Sequence, residues 1–243
     1  MTLPIETAAP PWIGEARAAW LPRDDRVEPL RVTAWMRSPT AFARDDGLRL
    51  DGALTWVVVA MVTGAPPPEA FAGVRKGEYV DLPVPIADEV IAGWRIAQCS
   101  DAVLAPVAVE VVRRRRKKPH PEAMALAKVQ TTGGPWKALD IPVAAWASPV
   151  LTWYLRGDRE RLEALLRETH ALGRGRSGGL GQVDAWSVDH DESATTRWRE
   201  RPLPIATPED ARAYPGRTVR EIRVRAPFWH PTTRALAACP VIE

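Results

Sequence analysis

Apolar positions along the chain follow two periods, and the period changes mark the elements. From Leu30 to Arg37 they alternate, with Val32, Ala34 and Met36 on one side, which predicts a first β-strand ended by Ser38-Pro39. Leu50 to Val62 is continuously apolar, with Asp51 as a candidate N-cap. Its β-branched run Val57-Val58-Val59 leaves helix and strand unresolved by period; its length favours a buried helix. Gly64 to Pro68 breaks it, and short extended pieces such as Tyr79 to Ile86 follow. Val103 to Val112 is strand-like and runs into basic sequence, and Met124 to Thr131 reads as another strand, so the two are expected to be joined by a long basic loop. Thr132 to Leu139 reads as a turn leading into an extended segment. Asp158 to Leu172 carries the strongest helical period: Leu162, Leu165, Leu166, Thr169 and Leu172 recur at three and four residues. Asp158 stands where it can cap this helix, Glu163 and Arg167 form an i,i+4 pair, and Gly173 stands where a left-handed residue closes a helix. Gln182 to Asp189 alternates again. Thr218 to Arg225 sets Val219, Ile222 and Val224 against Arg220, Arg223 and Arg225, the latter read as a solvent face.

Composition narrows the class. With 243 residues, 46% hydrophobic and 26% charged, the chain can bury a sizeable core, which excludes wholesale disorder and collagen-like repeats. The most apolar stretch, Ala53 to Val62, is about half the length of a membrane-spanning helix. The 24 prolines, roughly twice the usual share, imply short elements and long connections. Residues 1–29 read as an irregular N-terminal extension, and Met1 to Pro11 has no secretory pattern. The two cysteines, Cys99 and Cys239, form no disulfide framework and no metal-ligand spacing, so a reducing cytoplasm is the expected compartment. The 11 tryptophans are expected mostly in the core, although each is also a flat surface on which a base or a partner could stack.

Net charge is only +3, but its distribution is uneven. Arg113, Arg114, Arg115, Arg116, Lys117 and Lys118 form one unbroken basic run. Adjacent like charges repel, and a polyanion relieves that repulsion, so the run is a candidate RNA or DNA contact with strong salt dependence. Lys128 and Lys137 are weaker candidates of the same kind.

The segment from Gly173 to Gly181 is the most informative. Gly173, Gly175 and Gly178 spell a dinucleotide fingerprint, and Gly175, Ser177 and Gly179 spell a nucleophile elbow. Both motifs need a strand before the loop and a helix after it, and here the predicted order is reversed. What remains is a loop in which glycines bare the backbone N–H groups and Arg174 and Arg176 add fork-shaped donors, a cradle suited to a sugar–phosphate chain. Arg174, Gly175, Arg176, Ser177, Gly178 and Gly179 are the candidate RNA-binding residues of this loop.

A helix, a loop of this Gly-x-Gly-Arg-Ser-x-Gly-x-Gly type and a following strand resemble the glycine-rich loop of the RAMP superfamily, CRISPR-associated proteins built on ferredoxin-like RNA-recognition folds. The likeness extends to Arg31–Arg37 with the Ser-Pro that follows, to Leu50-Asp51-Gly52-Ala53-Leu54-Thr55-Trp56, to Gly133-Gly134-Pro135-Trp136-Lys137-Ala138 and to Gln182–Val188. Together these resemble the small RAMP subunit of type IV CRISPR effector complexes over roughly residues 30 to 190. The resemblance implies an α+β, ferredoxin-like (RRM-like) domain over residues 30–243, with a C-terminal glycine-rich loop and long inserted loops. It implies binding of the repeat-derived 5′ handle of the CRISPR RNA, contacts with backbone RAMP subunits and the large subunit, and contact with target DNA as an open question. It implies no catalysis, no cofactor, no metal and no membrane.

Two rival readings stay open. One is a metal-independent guide-processing endonuclease of the same superfamily, with His120 or His170 as general acid or base and Tyr154 beside it. The other is a protein–protein scaffold in which tryptophans form interfaces and the basic run is incidental. His190-Asp191-Glu192 reads as a surface acid cluster rather than a metal site.

Overall fold

A computed structural model describes residues 11–42, 47–64, 82–105, 108–116, 139–174, 176–226 and 233–241. In chain order the elements are α1 (Ile13–Trp20), β1 (Val27–Met36), α2 (Leu50–Thr63), β2 (Asp88–Ile91), β3 (Trp94–Ala97), β4 (Val103–Leu104), β5 (Ala108–Arg116), β6 (Leu139–Ala147), β7 (Val150–Asp158), α3 (Arg159–Arg167), β8 (Val183–His190), α4 (Ala194–Arg197), β9 (Leu203–Pro204), β10 (Arg217–Arg223) and β11 (Arg234–Pro240). The strand expected at 124–131, the turn at 132–138 and the break at 65–68 lie outside the described residues. Among the described residues no helix is long and apolar enough to cross a membrane.

The protein is α+β. Its central sheet has the order β4-β7-β1-β8, and every neighbouring pair is antiparallel. Strand β1 is the axis: it pairs with β7 from Val27↔Asp158 to Trp35↔Val150 and with β8 from Leu30↔His190 to Met36↔Val183. Its alternation puts Leu30, Val32 and Ala34 in the core with Leu151, Trp153, Leu155 and Val188. Helices α2 and α3 supply Leu54, Val57, Val58, Leu162, Leu165 and Leu166 to the same core. The Trp153 indole N–H is satisfied there by Leu48 O at 2.9 Å.

The ambiguous apolar run is a helix. Leu50, Leu54, Val57 and Val58 are buried at helical spacing, and Gly64 closes α2 in the left-handed conformation (φ +65°). Tertiary burial overrides the weak helical preference of its valines. Asp51 is not the N-cap; that position is Arg49, and the Asp51 carboxylate accepts from Gly52 N–H at 3.0 Å.

Three local expectations are corrected. First, the helix expected to reach Leu172 ends at Arg167, because Thr169 Oγ1 donates to Leu165 O and Leu172 N–H pairs with Gly181 O. Thr169 and Leu172 are still buried, with Ala171 and Leu172 in a β-like pairing with Gln182 and Gly181 and Thr169 O accepting from the Trp186 indole N–H at 3.0 Å. Second, Arg159 pairs with Glu163 at 3.2 Å, where a Glu163–Arg167 pair was expected. Third, Arg220, Arg223 and Arg225 are half-buried rather than on a plain solvent face. In the N-terminal segment expected to be irregular, residues 13–20 form α1, which buries Ile13 and Ala16.

Buried arginine and aspartate groups tie the periphery to this core. Arg201 is fully buried and donates to Ala97 O (2.9 Å), Cys99 O (3.0 Å) and Val224 O (2.8 Å), 3.7 Å from Asp51. It thereby joins α2 to the β10-β11-β9 sheet, whose Ile222, Val224, Ala235 and Ala237 pack around Ile96. Asp158, 1% exposed, caps α3 through Arg161 N–H and takes a two-pronged pair from Arg23 (2.7 and 2.9 Å). Burial pushes the Asp158 carboxyl up, but the Arg23 side chain and the backbone N–H groups of Arg161 and Arg23 outweigh it and hold the carboxyl below the usual range.

Asp158→Ala is expected to cost about 2 kcal/mol in urea unfolding, since it removes a cap and an ion pair whose arginine is one-third exposed. The lowered carboxyl fixes the sign of the pH dependence. The advantage of wild type over the variant is present above the unfolded aspartate value of about 3.9 and disappears as pH falls through the folded value below it.

Candidate nucleic-acid interface

Strand β1 ends, and β7 and β8 begin, at one end of the central sheet. Strand β4 leads directly into β5, and β6 leads directly into β7, so the β5–β6 ribbon leaves the sheet from that same end. The ribbon pairs antiparallel from Ala108↔Ala147 to Arg116↔Leu139, a length of roughly 30 Å. Arg113, Arg114, Arg115 and Arg116 lie in β5, opposite Pro142, Ile141, Asp140 and Leu139. This corrects the expected basic loop: the β-branched Val109, Val111 and Val112 carry the ladder outward into the arginines, and the partner is 139–147. Val109 and Val111 are exposed on the ribbon.

The glycine-rich loop emerges at the same end, between α3 and β8, in the helix–loop–strand order expected. It is stitched down by the residues that follow β1. Ser38 Oγ accepts from Gln182 N–H (2.9 Å), Pro39 O from Gly181 N–H (2.8 Å) and Ala41 O from Arg174 N–H (2.6 Å). Between them, Thr40 exchanges two backbone hydrogen bonds with Trp146 of the ribbon (3.0 and 2.8 Å), and Phe42 stacks on the Trp146 ring with centroids 5.8 Å apart. Residues 38–42 are thus one strap holding both the loop and the base of the ribbon.

Two glycines are demanded by this packing. Gly173 (φ +74°) lies against Ala41 O, and Gly181 (φ +69°) lies against Leu172 O; a Cβ at either would overlap that carbonyl. Gly173 therefore serves close approach to the strap, not closure of α3. Gly178 and Gly179, by contrast, face open space. The N–H groups of Arg174, Gly179 and Gly181 donate within the protein, so these three amides of the expected cradle are engaged. Arg174 is exposed, and Arg176, half-buried, lies with Cζ 4.9 Å from the Trp56 ring centroid. Burial lowers the pKa of Arg176 from its ordinary value. Ser177 lies within a short 3-10 turn, Arg176–Gly178. Gly175, Lys117, Lys118, Lys128 and Lys137 lie outside the described residues.

Other candidates are scattered. His170 is exposed and follows the end of α3, where its carbonyl accepts Val183 N–H. Tyr154 lies under the Arg197 guanidinium at 3.5 Å, and His120 lies outside the described residues. His190 bridges Glu28 (3.3 Å) and Glu192 (3.0 Å), and those bonds raise its pKa. Among the described residues no group of three His, Cys, Asp or Glu side chains could hold a metal ion. Trp153 and Trp198 are buried, whereas Trp12, Trp20, Trp94 and Trp186 pack half-buried against the cores. Trp56 entered the sequence reading only as the last residue of a family-like element, and Trp146 and the strap were not singled out by sequence reasoning. The only signal was a proline-ended strand whose continuation, Thr40-Ala41-Phe42, is too short to show a period.

A family model described as CRISPR type IV associated protein Csf3 matches residues 98–240. The match begins before β4 and runs through the ribbon, the glycine-rich loop and the C-terminal sheet. It extends beyond the likeness read from the sequence at its C-terminal side and stops short of it at the N-terminal side. No curated protein matches the chain.

Gly181→Ala is expected to destabilise the loop by more than about 1 kcal/mol, because it adds a carbonyl overlap to a left-handed backbone. Gly178→Ala, in open space, should leave thermal unfolding within about 0.5 kcal/mol of wild type. Equal melting temperatures for the two variants would contradict the packing described.

Proposed function

The chain belongs to the CRISPR type IV associated Csf3 family, and from that membership we propose that it is a non-catalytic RNA-binding subunit of a type IV effector ribonucleoprotein. It holds the repeat-derived 5′ handle of the guide RNA, caps the row of backbone RAMP subunits and contacts the large subunit. The central sheet supports a ferredoxin-like core: strand order β4-β7-β1-β8, with α2 following β1 and α3 following β7, is the connectivity of a split β-α-β pair. The ribbon between β4 and β7 is then the long insertion.

One observation carries the RNA reading. Two arginine-bearing segments far apart in sequence, 113–116 and 174–176, belong to elements that leave the same end of the sheet and are bound to one strap. Arginine-bearing segments that leave one end of the sheet suit a phosphate chain, which needs repeated charge along a path rather than one deep pocket. Lys117, Lys118, Lys128 and Lys137 extend the same basic path in sequence. The function needs no cofactor.

Arg174→Ala combined with alanine at 113–116 should weaken binding of fluorescent repeat RNA. It should also flatten the dependence of log Kd on log salt by about 0.7 for each phosphate left without its cation. Unchanged affinity at physiological salt overturns the assignment. A discrete product with a cyclic phosphate end, formed in EDTA, would instead identify the metal-independent endonuclease. Protein that purifies free of nucleic acid and binds no repeat RNA would identify the scaffold.

A further inference from the structure

Arginines in this protein are commonly held by carboxylates: Arg23 by Asp158 and Glu160, Arg31 by Asp189, Arg37 by Asp184, Arg95 by Asp88, Arg197 by Glu200. Arg176 is different. No carboxylate of the described residues pairs with it, and its guanidinium lies instead over the indole of Trp56, on the second turn of α2. The contact joins the loop to a rigid helix whose neighbouring residues Leu54, Thr55, Val57 and Val58 are buried. An aromatic ring occupies one face of a guanidinium and leaves its in-plane N–H donors free, whereas a carboxylate consumes them. Two and three residues on in the same loop, Gly178 and Gly179 present backbone with no side chain, and a Cβ there would meet nothing within 4 Å.

We propose that Trp56 is a positioning residue of the RNA site: its indole holds the Arg176 guanidinium in place so that the donor edge meets an incoming phosphodiester over Gly178 and Gly179. This rests on the reading of the loop as RNA-binding and adds a residue outside the loop to the site. The geometry also accounts for the form of the loop. An arginine pre-set on an aromatic surrenders little side-chain freedom when it binds, whereas glycine backbone is costly to order. An ammonium at position 176 would keep the charge but lose the planar stack, so lysine is a poor substitute.

The test uses the full chain and fluorescent repeat RNA across a salt series, with thermal unfolding of each variant as a check on folding. Trp56→Leu should weaken binding about 3- to 10-fold, the range a guanidinium–indole contact supplies. It should also flatten the salt dependence by about 0.7, as Arg176→Ala does, although Trp56 carries no charge. Arg176→Lys should fall with them, Trp56→Phe should recover most of the affinity, and the Trp56→Leu/Arg176→Ala double variant should be no weaker than either single variant. A purely packing role would lower affinity without changing the salt slope and would add to Arg176→Ala; that result overturns the proposal. So does full binding by Trp56→Leu while Arg174→Ala is impaired, which leaves the RNA reading standing. If wild type itself binds no repeat RNA, the RNA reading fails and the role of Trp56 fails with it.

Discussion

Past the end of β1 the chain bends at Arg37 and Ser38, and Pro39 has no N–H to give, so the regular ladder stops, yet the backbone polar groups must still find partners. They find them on both sides. Pro39 O and Ala41 O take the amides of Gly181 and Arg174, and Thr40 trades two bonds with Trp146. This short stretch of backbone, with the Phe42–Trp146 stack beside it, sets where the glycine-rich loop and the base of the ribbon sit relative to each other. Substituents at Gly173 and Gly181 are excluded for the same reason: the loop approaches carbonyls too closely to carry a Cβ. The loop and the base of the ribbon, remote in sequence, are gathered by hydrogen bonds that involve no charge at all.

The ends of the loop are held in turn by buried polar groups. Asp158 fixes the start of α3, and α3 leads into the loop; its carboxylate binds Arg23, so the segment before β1 is clamped to the same helix. Arg201 draws on carbonyls from residues 97, 99 and 224, and its nearness to Asp51 sets the first turn of α2 against the C-terminal sheet. Helix α2 carries Trp56. Removing one partner from either group would leave a buried charge unpaired, the costly outcome for such pairs.

The readable parts of the fold were those with a sustained period. β1 showed its core face through Val32, Ala34 and Met36; the first two are fully buried, and Met36 packs on the core. The leucine stripe of α3 and the Asp158 cap were equally plain. Reading failed where tertiary pairing competes with a local pattern. The stripe continued through Thr169 and Leu172, but the helix did not, because Gly181 offered Leu172 a backbone partner. The basic run looked like a loop because charge dominates its composition, yet β6 supplied a ladder that holds Arg113 to Arg116 in a strand. Arg174 and Arg176 were candidates by their chemistry; the strap was not, since nothing local marks it, and Trp56 entered only within the family-like element that ends on it.

By itself the sequence determined what depends on neighbours a few residues apart: the strands and helices of the core, the reversed helix–loop–strand order that rules out nucleotide and nucleophile motifs, and the two places where cations concentrate. It also carried enough of the family's pattern to indicate a type IV CRISPR protein. Only the tertiary structure decided that those cationic places share one end of a sheet, which amides of the loop are already spent, and that Arg176 rests on an indole rather than a carboxylate. The reason is the range of the forces involved. Hydrophobic period and turn chemistry act within a few residues, whereas hydrogen bonds from 39 to 181 and from 40 to 146, and the stacking of 176 on 56, join positions that only the folded chain brings within reach.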